Sequence, residues 1–228
     1  MNEQVEAGRP FRGVGEPVYP ERGAEELVEC GRHEELLNLE FASGPPWRLL
    51  CPYDVTALDP AVLDEARRNH PWLLDVRGRV ASATWKGLEV IAEPFDRALP
   101  EPAGVVHACR FNGADLVSVR AFVAEQAKQQ GLAAGRIDDL VLSVSEVASN
   151  SVRHGGGGGE VRMWVTGGAL ITEVRDAGLV ADPLVGRHRP NGSGASGYGL
   201  WIVNQLCDLV QIRSLPNGSI VRLHMSLG

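Results

Sequence analysis

Six aliphatic residues, Ile137, Leu140, Val141, Val144, Ala148 and Val152, recur at helical spacing and draw a single apolar stripe. A helix with one such stripe must bury it against another element of a folded domain. Downstream, Val161–Val165 and Leu170–Val174 read as two strands joined at Thr166-Gly167-Gly168-Ala169. The run Gly155–Gly159 between helix and strand reads as a flexible link.

The face opposite the stripe carries the chemistry. Glu146 and Asn150 lie four residues apart, one turn from each other, so a carboxylate stands beside a carboxamide. Such a pair can hold Mg2+ through oxygen and orient a nucleophile, since Mg2+ takes few protein ligands and completes its shell with water and phosphate. The plainer reading is a solvated helix face. The second predicted strand runs into Asp176-Ala177-Gly178. There a buried Asp can accept from the exocyclic amine of adenine, and the glycine lets backbone approach a base. A turn is the commoner use of Asp-x-Gly. Leu179–Ser196 is a long Gly-, Pro- and Arg-containing loop, the kind that closes over a ligand or stays irregular. Its cations Arg187, His188 and Arg189 are candidates to meet phosphate, with solvated loop charges as the alternative. Gly197-Tyr198-Gly199 then opens a short apolar helix, Trp201–Cys207, whose first amides would face an anion.

In this order the three motifs resemble those of the histidine-kinase-like ATPase superfamily, over roughly Val106–Gly228. The resemblance implies an α+β two-layer sandwich, a mixed sheet covered on one face by helices, with ATP and Mg2+ as cofactors. It implies that Asn150 binds Mg2+ through the phosphates, Glu146 is the catalytic residue, Asp176 with Gly178 binds adenine, and Gly197 and Gly199 are hinges of an ATP lid. The string Ser145-Glu146-Val147-Ala148-Ser149-Asn150-Ser151-Val152-Arg153-His154-Gly155 resembles the first motif of the anti-sigma-factor kinases. Ser151 departs from that pattern, which commonly has a small apolar residue there. That likeness implies a serine/threonine protein kinase that phosphorylates an antagonist (anti-anti-sigma) protein, binds a sigma factor and regulates transcription by partner switching.

Two alternatives remain open. One is the catalytic half of a split sensor histidine kinase, whose acceptor His lies on another protein; the other is a non-catalytic, ATP-dependent binding protein for a sigma factor or antagonist. Within this chain His33 beside Glu34 lacks a downstream proline and reads as a surface histidine of a helix over Ala24–Phe41. His70 precedes Pro71 and reads as a loop residue, and His154 as a partner of its helix C-terminus. No Cys or His spacing is of the zinc type. Gly192–Gly197 matches a dinucleotide fingerprint literally, but it follows a loop instead of a strand. The glycine run lacks the Lys-Ser/Thr of a phosphate-binding loop.

The 228 residues suffice for two small domains. Cys30, Cys51, Cys109 and Cys207 are far apart and read as buried free thiols of a reducing compartment. With no long apolar run, a cytoplasmic protein without membrane contact is expected. Residues 1–105 carry 19 acidic and 11 basic side chains, the remainder 10 and 11, which argues against direct nucleic-acid binding by the front half. In that half Ala24–Phe41 reads as a helix, Trp47–Cys51 as a strand, and Pro60–Asn69 as a helix with Asp59 as N-cap. Leu50-Cys51-Pro52-Tyr53-Asp54 through His70-Pro71-Trp72-Leu73 resembles the closing portion of the sensory domain called MEDS, over about residues 11–74. The expected organisation is a partial MEDS-like α/β unit over 1–91, a proline-rich linker over 92–104 and the ATPase domain over 105–228. A truncated sheet leaves an edge that a second copy of the chain, as a homodimer, would cover.

Overall fold

The computed structural model describes residues 10–43, 47–93, 95–189 and 198–228. Two compact units divide between Glu93 and Pro94.

In the first unit β1 (Phe11–Val14) and β2 (Trp47–Leu50) form a parallel pair joined through the crossover helix α1 (Ala24–Glu40), one βαβ unit. Helix α2 (Pro60–Asn69) starts where its residues dictate: the Asp59 carboxylate accepts from the Ala61 N–H at 2.7 Å, and Pro60 stands at the first turn. The antiparallel hairpin β3 (Trp72–Asp75) and β4 (Gly78–Ala81) follows, then the short helix α3 (Leu88–Ala92). The core of this unit is small, with Val18, Leu36, Phe41, Leu58, Ala66 and Ile91 buried. Helix α1 also buries charge. Arg32 donates to Glu35 at 2.9 Å and to the Ile91 carbonyl at 3.1 Å, and Lys86 bridges Glu35 and Glu65.

The second unit is built on one five-stranded sheet: β5 (His107–Asn112), β6 (Gly158–Thr166), β7 (Ala169–Asp176), β8 (Leu209–Leu215) and β9 (Gly218–Ser226). Their spatial order is β5-β6-β7-β9-β8, and every described pairing is antiparallel. The α+β class stands, and the expected mixed sheet is corrected to an antiparallel one. Hairpins join β6 to β7 and β8 to β9, and the longer connections bring their strands back in the same alternating sense. The first hairpin turns on Gly167 and Gly168, both at positive φ, the conformation a two-residue hairpin loop requires.

One face of this sheet packs on α4 (Leu116–Gln129), α5 (Ala134–His154) and α6 (Tyr198–Leu206). Val119 and Val123 of α4 and Leu140, Val144, Val147 and Ala148 of α5 meet Val161 and Met163 of β6, Leu170 and Val174 of β7, and Val221, Leu223 and Met225 of β9. These strand residues alternate, as a half-covered sheet demands. The alternate positions face the other way and mix apolar Trp164, Ile171 and Ile220 with polar residues that are buried too: Glu173, Gln211, Arg213, Arg222 and His224. Residues 95–101, inside the stretch expected as a linker, are bonded to this far face. The Ser214 N–H donates to the Phe95 carbonyl at 3.0 Å, Arg213 Nε to that of Arg97 at 2.8 Å, and Arg222 Nη2 to that of Pro100 at 2.9 Å. The fully buried Glu173 accepts from Arg222, Arg162 and Arg175 at 2.6–3.0 Å. Four polar side chains thus satisfy one another under a strap of backbone.

Candidate functional site

Helix α5 buries its apolar stripe and turns Glu146 and Asn150 to a half-buried position on its other side. Arg153 and His154 fill its last turn, where cations favour the helix dipole. The chain leaves the helix through Gly155. A methyl group added there would stand 2.4 Å from Asp176 Cγ, so only glycine lets the end of α5 pass over the carboxylate at the end of β7. Gly156 and Gly157 hold positive φ, and Cβ atoms on Gly158 and Gly159 would meet the carbonyl oxygens of Phe111 and Arg175 at 2.2 and 2.4 Å. The glycine run is therefore a closely packed corner and the start of β6, not the flexible link its composition suggests.

Asp176 is fixed from three sides. Ser151 Oγ donates to Oδ2 at 2.6 Å; Ser219 Oγ and the Gly178 N–H donate to Oδ1 at 2.9 and 2.8 Å. A carboxylate offers about four acceptor sites. Two bonds occupy Oδ1 and one occupies Oδ2, which leaves one site on Oδ2 for an outside donor. Gly178 packs in turn against the Gly155 backbone, where a Cβ would stand 2.8 Å from Gly155 Cα.

Gly199, in the first turn of α6, meets the other pair. A Cβ there would lie 2.7 Å from Glu146 Oε2 and 3.6 Å from Asn150 Nδ2. Asn150 Oδ1 accepts from Arg153 Nη2 at 2.9 Å. The Asn204 carboxamide donates to the carbonyls of Gly186 and Leu200, tying the turn at Gly186 to α6. Arg189 lies with its guanidinium 5.8 Å from the Trp201 ring centroid. Gly197 lies outside the described residues. The structure therefore brings Glu146, Asn150 and Gly199 together, and joins Asp176 and Gly178 to them through Ser151, the neighbour of Asn150.

Ser151 and Ser219 are participants that the sequence reading does not identify. Ser151 marks a departure from a motif, and no motif singles out Ser219. Burial pushes the Cys207 thiol up to about 11, leaving it a protonated neighbour of Ser143. All four cysteines are free and half-buried, somewhat less enclosed than expected.

Among the described residues no helix is long and apolar enough to cross a membrane. A comparison with curated protein sequences gives no match. Residues 1–71 match the family model of MEDS, the methanogen/methylotroph, DcmR sensory domain. Similar solved structures include the RsbU and RsbW domains of Rv1364c from Mycobacterium tuberculosis, at 21% identity and a TM-score of 0.42, over 54% of this chain and 32% of that one. The histidine kinase domain of the Erythrobacter litoralis EL346 blue-light activated histidine kinase is 21% identical, with a TM-score of 0.33 over 50% of this chain and 60% of that one. The histidine kinase AdeS of Acinetobacter baumannii is 14% identical, with a TM-score of 0.32 over 55% and 70%. The chain spans about a third of the length of the first of these. Residues 110–225, just over half of the chain, match the family model described as histidine kinase-like ATPase domain, and the chain belongs to that family.

Proposed function

We propose that this chain binds ATP with Mg2+ and transfers the γ-phosphoryl group to a Ser or Thr hydroxyl of an antagonist protein, as an anti-sigma-type kinase acting by partner switching. The observation that carries the reading is the meeting of three distant segments: Gly199 against Glu146 and Asn150, and Ser151 against Asp176. In this reading the free acceptor site on Asp176 Oδ2 takes the exocyclic amine of adenine, and Ser151, Ser219 and the Gly178 N–H hold the carboxylate for it. Gly155 and Gly178 keep the approach to the base clear of side chains.

The donor set suits Mg2+. Asn150 Oδ1 is a hard oxygen, and a single protein ligand is ordinary for an ion shared with phosphates. When bound, the ion neutralises charge on the phosphates. Arg153 must then leave Asn150 Oδ1. Glu146 accepts the proton of the incoming hydroxyl, whose oxygen bonds to the γ-phosphorus as the bond to the β–γ bridging oxygen breaks and ADP departs. Gly199, with Gly197, gives the 179–196 segment its hinge, and Asn204 anchors its first part. The first unit is proposed as a sensory module, and the outer edges of the β1–β2 pair, unpaired among the described residues, favour a second copy of the chain as one partner.

The test is label transfer from γ-labelled ATP to small antagonist proteins from the same cell. Acid-stable label on Ser or Thr, lost in both Glu146→Ala and Asn150→Ala, supports the proposal. Acid-labile label on a His identifies the split sensor kinase instead. A stable complex without turnover identifies a binding protein.

A further inference from the structure

The first unit contains a cluster that the nucleotide pocket does not use. Glu34 projects from α1, Cys51 follows β2, and His70 caps the C-terminus of α2. Their ligand atoms, a Glu34 carboxylate oxygen, Cys51 Sγ and a His70 ring nitrogen, all lie within 4.8 Å of one another. Glu34 is 2% exposed, and among the described residues no nitrogen or oxygen donor reaches its buried Oε1; the Cys51 thiol and the His70 ring are the groups that face this carboxylate beside Tyr53. A buried carboxylate oxygen left without a partner is costly unless a proton or a cation meets it.

The neighbours show what that is. His70 Nδ1 lies 2.8 Å from the Ala66 carbonyl, which can only accept, so Nδ1 carries the ring proton. In the neutral ring the lone pair is on Nε2, and Nε2 faces Glu34 Oε1 at 3.8 Å, too far for a hydrogen bond. With the ring neutral and the carboxylate ionised, two electron pairs point at one space. Tyr53 donates its hydroxyl to the other oxygen, Oε2, and fixes the carboxylate plane. Such outer partners, a carbonyl on the remote nitrogen of a His and a donor on a ligating carboxylate, are the ones that orient metal ligands.

We propose that Glu34, Cys51 and His70 form a binding site for one zinc-class divalent cation, with a fourth position left to water or a small ligand. Tetrahedral zinc with bonds of about 2.0–2.3 Å sets its ligand atoms about 3.3–3.7 Å apart, a small closure from the separations here. The ion takes the Glu34 carboxylate, the lone pair of His70 Nε2 and the thiolate of Cys51, whose proton leaves to solvent. Cys51 and His70 are half-buried, which gives the ion a way in. Sequence spacing conceals the site, because zinc-type motifs bring ligands from one short stretch and these come from three elements. The site lies within the MEDS-matching residues and does not depend on the nucleotide reading.

The experiment is Co2+ and Zn2+ titration of the whole, tag-free, metal-stripped chain. The site predicts one equivalent of Co2+ with tetrahedral d–d absorption and a thiolate charge-transfer band in the near ultraviolet, displaced by one equivalent of Zn2+. Cys51→Ser abolishes the band, His70→Gln weakens Zn2+ at least tenfold, and Cys109→Ser in the other unit changes neither. A rise in the wild-type melting temperature with Zn2+ gives a readout needing no variant. A wild-type chain that retains no equivalent at micromolar Zn2+, or a charge-transfer band that persists in Cys51→Ser, overturns the assignment.

Discussion

Ser151 Oγ donates to Asp176 Oδ2 across 2.6 Å, joining the helix that carries Asn150 to the strand end proposed to read adenine. The same hydroxyl also lies 3.2 Å from the Val147 carbonyl of its own helix. Ser151 is thus a positioning residue for Asp176. Ser151→Ala is expected to weaken adenosine and ATP by the same factor, about tenfold for the loss of roughly 1.5 kcal/mol of charge-assisted hydrogen bonding. Titration of both ligands checks it; a loss confined to ATP would place the effect at the phosphates.

Arg153 occupies Asn150 Oδ1 through an exposed bond of 2.9 Å. Exposed bonds of this kind are worth about 0.5–1 kcal/mol. Arg153→Ala should lower the Mg2+ concentration needed for half-maximal ATP binding two- to fivefold. A higher requirement would mean that Arg153 helps hold the triphosphate.

The far face of the ATPase sheet centres on Glu173, fully buried against Arg162, Arg175 and Arg222. Glu173→Gln leaves three guanidinium groups facing a neutral amide. Breaking a buried network from one side costs about 3–5 kcal/mol, so the melting temperature should fall on the order of 10 °C. Calorimetric unfolding measures it, and a change below about 2 °C would show that the strap admits water to these groups.

Glu101 secures the strap to Arg175 and Arg162 at 2.6 and 3.0 Å. The hydrogen bond from Arg175, with that from Arg162, holds its carboxyl below the usual 4.5. A depressed carboxylate contributes stability that is present above the unfolded value and is lost as pH falls through the folded one. The melting temperatures of wild type and Glu101→Gln should therefore differ above about pH 4.5 and converge below it. A difference independent of pH would contradict this.

Much of the fold is legible where residues state their own boundaries. Asp59 and Pro60 give α2 its first turn, the stripe of α5 gives its length, and Gly167-Gly168 gives the β6–β7 hairpin. The sequence reading assigns no strand to residues 209–226, where Gln211, Arg213, Arg222 and His224 stand among the apolar residues. All four are buried, and Arg213 and Arg222 donate to the carbonyls of Arg97 and Pro100, partners more than a hundred residues away in sequence. The same holds at the site. Glu146, Asn150 and Asp176 stand in motifs with fixed local spacing. Ser151 and Ser219 reach Asp176 from 25 and 43 residues away, and a serine hydroxyl carries no local pattern that announces a distant acceptor.

The most direct test of the account is calorimetric titration of Mg-ATP into the purified chain and into Asp176→Asn. The account predicts saturable one-site binding by the wild type and a loss of at least tenfold in the variant, whose amide presents a donor toward the adenine amine if it keeps its bonds to Ser151 and Ser219. No binding by the wild type, or equal binding by both, would contradict it.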